Sequence, residues 1–126
     1  PQLRKLKLRE NLISAEGIQH LAGLKQLEML DFSETDVQND ALVYLVDLPK
    51  LQDLNLWFTL VDDEGLKSIG KMTQLTRLNL DKTEISDAGL SELAGLENLT
   101  WMHLGSNRLT DAAIEPLDIR SCPPCR

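Results

Sequence analysis

The stretch Leu75-Thr-Arg-Leu78-Asn-Leu80-Asp-Lys-Thr83-Glu-Ile85 steps from leucine to leucine by three residues and then by two, and continues through a small polar residue to another aliphatic. The same order recurs in both directions at intervals of 24 residues. Leu3, Leu27, Leu51, Leu75 and Leu99 open the units. Leu6, Leu30, Leu54, Leu78 and Met102 form the next column, then Leu8, Phe32, Leu56, Leu80 and Leu104. Asn11, Thr35, Thr59, Thr83 and Asn107 follow, then Ile13, Val37, Val61, Ile85 and Leu109. A fixed period of 20 to 50 residues is the mark of a stacked-repeat architecture, in which no unit buries its apolar face alone.

Within a unit, the alternation at the end of Leu-x-x-Leu-x-Leu predicts a short strand with one face buried. Equivalent strands stack in parallel about 4.8 Å apart. The Asn/Thr column comes where the backbone turns inward, and its amides and hydroxyls can satisfy backbone groups that no strand partner reaches. Next, Ser14, Gln38, Asp62, Ser86 and Thr110 stand where a helix begins, four of the five being good N-cap residue types. The small column Gly17, Ala41, Gly65, Gly89, Ala113 permits close packing. Apolar pairs such as Leu66/Ile69 and Leu90/Leu93 mark one face of a short helix. The expected fold is therefore α/β: a right-handed solenoid of five repeats with a parallel concave sheet and short convex helices.

These residues resemble the L-x-x-L-x-L-x-x-N/T-x-L signature of leucine-rich repeats. Ser86-Asp-Ala-Gly-Leu90 resembles the I-T-D-x-G-L segment of the cysteine-containing subclass and of similar bacterial repeats. The resemblance runs from residue 3 to about 119 and includes 26 leucines. It defines a leucine-rich repeat domain over 1–119, with repeats starting at 3, 27, 51, 75 and 99, and a C-terminal tail over 120–126. What it implies about function is a recognition platform for another macromolecule.

Both ends depart from the pattern. The first unit has no evident N-terminal cap, and Pro116 falls inside the expected fifth helix, where it removes a hydrogen bond. A segment of a longer solenoid, or a chain that packs on another through its open ends, fits these irregularities. The chain of 126 residues, 42% hydrophobic, is expected to fold around one core. No apolar run approaches the ~20 residues of a membrane span, and the residues assign no compartment. Cys122-Pro-Pro-Cys125 has the spacing of a redox pair or half a zinc site. At the chain end an inert tail or incidental disulfide is preferred to cross-linking, metal or redox roles.

The formal charge is −7, which opposes general affinity for nucleic acid. Ten acids crowd the turn and early helix of the units: Glu16, Asp36, Asp40, Asp62, Asp63, Glu64, Glu84, Asp87, Asp111 and Glu115. Acids near helix N-termini complement the helix dipole, and that reading is preferred to a basic partner or a divalent cation. The concave face carries six cations and six anions. Its first strand is basic (Arg4, Lys5, Lys7, Arg9), its second acidic (Glu28, Asp31, Glu34). Neutralisation between those strands is preferred to capture of an acidic peptide or phosphate.

The chain has only five aromatic residues, and three of them, Trp57, Phe58 and Trp101, fall in columns that should face solvent. Exposed aromatics beside charged residues have the composition of a binding hot spot. Asp81 is expected next to Trp57, and Arg77 between Asp53 and Trp101. The competing reading has Phe58 tucked against its own turn and Trp101 covering the C-terminal edge. A Ser-His-Asp set can be assembled from Ser106, His103 and Asp81, but catalysis needs a pocket with an oxyanion site, which an open sheet does not supply. The sequence thus points to a non-catalytic module that binds a protein or peptide through Trp57, Phe58, Trp101, Asp53, Arg77, Asp81 and His103. No cofactor, metal, nucleic acid or membrane span is expected. The alternatives are a structural segment of a longer solenoid whose site lies in other repeats, or the recognition part of a ligase adaptor or effector.

Overall fold

The structure, a computed structural model, describes residues 2–105, 107 and 109. Five three-residue strands, β1 (Lys5–Lys7), β2 (Met29–Asp31), β3 (Asp53–Asn55), β4 (Arg77–Asn79) and β5 (Trp101–His103), form one parallel sheet in chain order. Every pairing has the 24-residue register: Leu6 faces Leu30, Leu30 faces Leu54, Leu54 faces Leu78 and Leu78 faces Met102. One unslipped register follows from side-chain alternation, because a shift by one residue would turn the leucines to solvent. Between strands run the short helices α1 (Ala15–Gln19), α2 (Asn39–Leu42), α3 (Asp63–Ile69) and α4 (Asp87–Leu90); 3-10 turns over His20–Gly23 and Ser91–Leu93 extend the first and last.

The core is a single column of aliphatic side chains between sheet and helices. Leu27, Leu30, Leu51, Leu54, Leu75 and Leu78 are fully buried, as are Phe32, Leu56 and Leu80 one position pair further on. Where the chain turns inward, the buried Thr35, Thr59 and Thr83 hydroxyls donate to Phe32 O, Leu56 O and Leu80 O at 2.6 to 2.8 Å. Asn11 and Asn107 do the same work with amides at the two ends of the described solenoid. Asn107 also bridges repeats, its Oδ1 accepting from the Thr83 hydroxyl at 3.0 Å and its Nδ2 donating to Leu80 O.

The helix starts differ from the sequence expectation. Ser14 and Asp62 cap their own helices, accepting from Gly17 N and Glu64 N, whereas Gln38 and Ser86 do not. Ser86 instead serves the neighbouring repeat: its backbone N–H donates to Asp63 Oδ1 at 2.7 Å and its hydroxyl to Asp63 Oδ2. Asn39 holds Asp62 in the same manner, through its backbone N–H and its carboxylate. The first residue of one helix thus clamps the cap position of the next repeat. The small column exists for this clamp, since a Cβ on Gly65 or Gly89 would collide with Asn39 Oδ1 or Asp63 Oδ1. In the first repeat the clamping position is Ala15, and a Cβ added at Gly17 would meet nothing closer than Ser14 Oγ at 3.9 Å.

The first repeat is also the least covered. Leu3 is 44% exposed, while Leu27, Leu51 and Leu75 in the same column are at 0%. The cap at Thr110, the small residue Ala113, the break at Pro116, the tail 120–126 and the Cys122/Cys125 pair lie outside the described residues. Among the described residues no helix is long and apolar enough to cross a membrane.

Candidate functional site

Outward-facing positions of the strands and the two residues beyond them build the candidate site. Asp31, Asn55 and Asn79 end their strands and turn their side chains back, accepting from the N–H two residues on (Ser33, Trp57, Asp81) at 2.9 to 3.0 Å. These local loops set the direction in which Trp57 and Asp81 project. The following residue, Glu10, Glu34, Phe58 or Lys82, has φ between 55 and 63°. Left-handed backbone is strained for any residue with a Cβ, most of all a bulky aromatic. The strand-to-strand ladder imposes it, because Phe58 N must reach Asp81 O at 2.9 Å as Glu34 N reaches Trp57 O.

Trp57 is half-buried by charged neighbours. The Arg9 guanidinium lies 5.5 Å from its ring centroid and the Lys82 ammonium 5.6 Å, both within cation–π range. Arg9 is held from its other side by Glu34, whose carboxylate accepts from Nε at 2.7 Å and also from Nη2. The hydrogen bond to Glu34, and then its charge, raise the guanidinium pKa above its ordinary value. Phe58 stands 6.0 Å from Trp57 and is 57% exposed, so it does not tuck against its own turn. Beside it opens a cleft of about 270 Å³ that includes Leu60, Lys82, Glu34 and Glu84.

A second group spans β3, β4 and β5. Asp53, Arg77 and Trp101 face one another in register, so Arg77 stands between the other two. Its Nε is 3.6 Å from Asp53 Oδ2, and its guanidinium is 4.3 Å from the Trp101 ring centroid. His103 stacks on Trp101 with centroids 4.0 Å apart, and its Nδ1 is 3.3 Å from Asp81 Oδ2. The other Asp81 oxygen accepts from Gly105 N at 2.6 Å. Burial raises the Asp53 pKa above the ordinary carboxylate value; Arg77 opposes that shift and Asp31 adds to it.

The seven residues read from the sequence therefore fall into two groups. Asp53, Arg77, Trp101, His103 and Asp81 form a continuous chain of contacts, and Trp57 with Phe58 forms the other. Asp81 and Trp57 occupy neighbouring positions of one column without a recorded side-chain contact. Ser106 lies outside the described residues. Arg9 and Glu34 pair as the expected neutralisation between the first two strands, but the sequence does not place them or Lys82 beside Trp57. One signal was available: Ser33 separates Arg9 from Trp57 in the column, and a small residue there lets two long side chains meet across a whole repeat. Among the described residues no cluster of three or more His, Cys, Asp or Glu side chains has the geometry to hold a metal.

A family model described as Leucine Rich repeat matches residues 71–94, the fourth unit from just before β4 to the end of its helical segment. An internalin (inlF) from Listeria monocytogenes has a similar structure, with a TM-score of 0.81 and 28% identity over 98% of this chain. Internalin C2 (inlC2) from the same organism matches 96% of this chain with a TM-score of 0.61 and 22% identity. The chain spans 34% of the length of the first and 58% of the second. No curated protein sequence matches. The repeat signature, the unbroken parallel register and the likeness to the internalin give this chain the leucine-rich repeat fold, with the family-model match confined to its fourth unit.

Proposed function

We propose that the chain is a non-catalytic module that binds a protein or peptide across its strand face, with Trp57, Phe58 and Trp101 as anchors and Asp53, Arg77, Asp81 and His103 as orienting groups. The observation that carries this reading is the placement of three of five aromatic side chains on one outward face, none of them buried in the core. Large rings already fixed by neighbouring cations lose little side-chain freedom on docking. The His103–Asp81 pair lies on an open surface and is read as an orienting contact, not as part of a catalytic set. The test compares capture from an extract of the source organism by the wild type and by a folded Trp57→Ala/Trp101→Ala variant. A protein retained by the first and lost by the second supports the reading; equal retention by both overturns it.

A second reading, the structural segment, is favoured by the first repeat, where Leu3 is 44% exposed although its column is buried in the repeats that follow. On this reading the edge of β1 is covered by further solenoid, and the binding residues lie elsewhere.

A further inference from the structure

The strand face is neutral by count, yet its charges are unequally engaged. All six carboxylates have partners: Glu28 with Arg4 (3.8 Å), Glu10 and Glu34 with Arg9, Asp53 with Arg77, Asp81 with His103 and Gly105 N, and Asp31 with Ser33. Three of the six cations have no carboxylate partner among the described residues: Lys5, Lys7 and Lys82, all exposed. The Lys82 ammonium lies over the aromatic faces of Trp57 and Phe58, at 5.6 and 5.8 Å. The face as a whole is neutral and the protein is at −7. The carboxylates of the face are engaged in ion pairs or hydrogen bonds, whereas these three ammonium groups stand exposed, so the charged groups it leaves open to a partner are the lysines.

Resting on the strand-face reading above, we infer that the partner is an acidic peptide segment carrying an apolar side chain, laid across the strands with its carboxylates on Lys5/Lys7 and Lys82 and the apolar group over Trp57 and Phe58. The spacing follows from the sheet. From β1 to the repeat of Lys82 is three strand steps, about 14 Å, and an extended segment covers that in about four residues. Trp57 lies on the intervening repeat nearest Lys82. The surplus of acids sits on the turns and early helices, and at physiological salt charge is screened beyond about 8 Å, so the local lysines govern contact. A long polyanion such as nucleic acid would run past the face into those acids, which favours a short peptide.

The test is selection of a random twelve-residue peptide library displayed on phage against the whole chain, with a twelve-nucleotide single-stranded DNA titrated in parallel. The expected outcome is enrichment of peptides with Asp or Glu on both sides of an apolar residue. A synthetic copy of the best peptide should bind at least tenfold more weakly to Lys5→Gln/Lys7→Gln/Lys82→Gln, and near wild-type strength to the corresponding triple arginine variant. Enrichment of basic or uncharged peptides that still require Trp57 overturns this inference and leaves the strand-face reading standing. Peptides indifferent to Trp57→Ala overturn both. No enrichment, an unchanged affinity in the glutamine variant, or tighter binding of the oligonucleotide also overturns the inference.

Discussion

The Arg9 guanidinium lies 5.5 Å from the Trp57 ring centroid although a whole repeat separates the two residues. The gap is spanned because Ser33, between them in the column, is small and 2% exposed, while Glu34 anchors the guanidinium from the adjacent column. Trp57 is thus preset by a residue from the far end of the sheet. Ser33→Leu should displace Arg9 from the ring without unfolding the chain. A changed tryptophan emission with a melting temperature within a few degrees of wild type is the expected result.

Phe58 holds a left-handed backbone, φ 55°, at a site where its side chain is largely exposed. Left-handed geometry costs roughly 1–2 kcal/mol for an ordinary residue and little for Asn or Gly. Phe58→Asn is therefore expected to leave stability unchanged or raise it by up to about 1 kcal/mol in urea denaturation. A loss of more than about 1 kcal/mol would mean that the ring's contacts with Trp57 and Lys82 outweigh the strain.

Much of the candidate site was legible because the repeat assigns each residue to a column, and columns assign faces. That reasoning put Arg77 between Asp53 and Trp101. It did not find the partners of Trp57, because Arg9 and Lys82 reach it through side-chain length, which column position does not encode.

Burial raises the folded-state pKa of Asp53 above its ordinary 3.8, against the opposing charge of Arg77. A carboxyl whose pKa is raised on folding favours the fold when protonated. Its contribution is present below the ordinary value and is lost as pH rises through the folded-state value. Carboxyl NMR titration should find Asp53 titrating above 3.8. Asp31→Asn should lower that midpoint by removing a like charge, and Arg77→Ala should raise it.

The glycines divide by what surrounds them. A Cβ at Gly89 would stand 2.8 Å from both Asp63 Cγ and Leu66 Cδ1, whereas nothing lies within 4 Å of one at Gly95. Gly89→Ala should destabilise by about 1–3 kcal/mol, the usual range for overpacking. Gly95→Ala should be neutral or stabilising by about 0.4–1 kcal/mol, through a less flexible unfolded chain. Thermal unfolding of the two variants side by side separates the cases.

Leu54 and Leu78 lie at the centre of the aliphatic column and are fully buried. Truncation of either to alanine should cost about 2–5 kcal/mol in urea denaturation. A cost of a few tenths of a kcal/mol for both would contradict the observed packing.

The 24-residue period by itself determined the fold, because leucines at fixed columns can be buried together only if equivalent strands stack in one register. It also determined which columns face outward. Tertiary structure decided which individual charges on those columns pair. Glu34 turns to Arg9, Asp53 to Arg77 and Asp81 to His103, while among the described residues Lys5, Lys7 and Lys82 have no carboxylate partner. It also turned Ser86 from a cap of its own helix into the partner of Asp63. The physical reason is reach. Burial of a leucine depends on backbone position, which the period encodes, whereas ion pairs and caps depend on where a flexible side chain finds its partner in the next repeat.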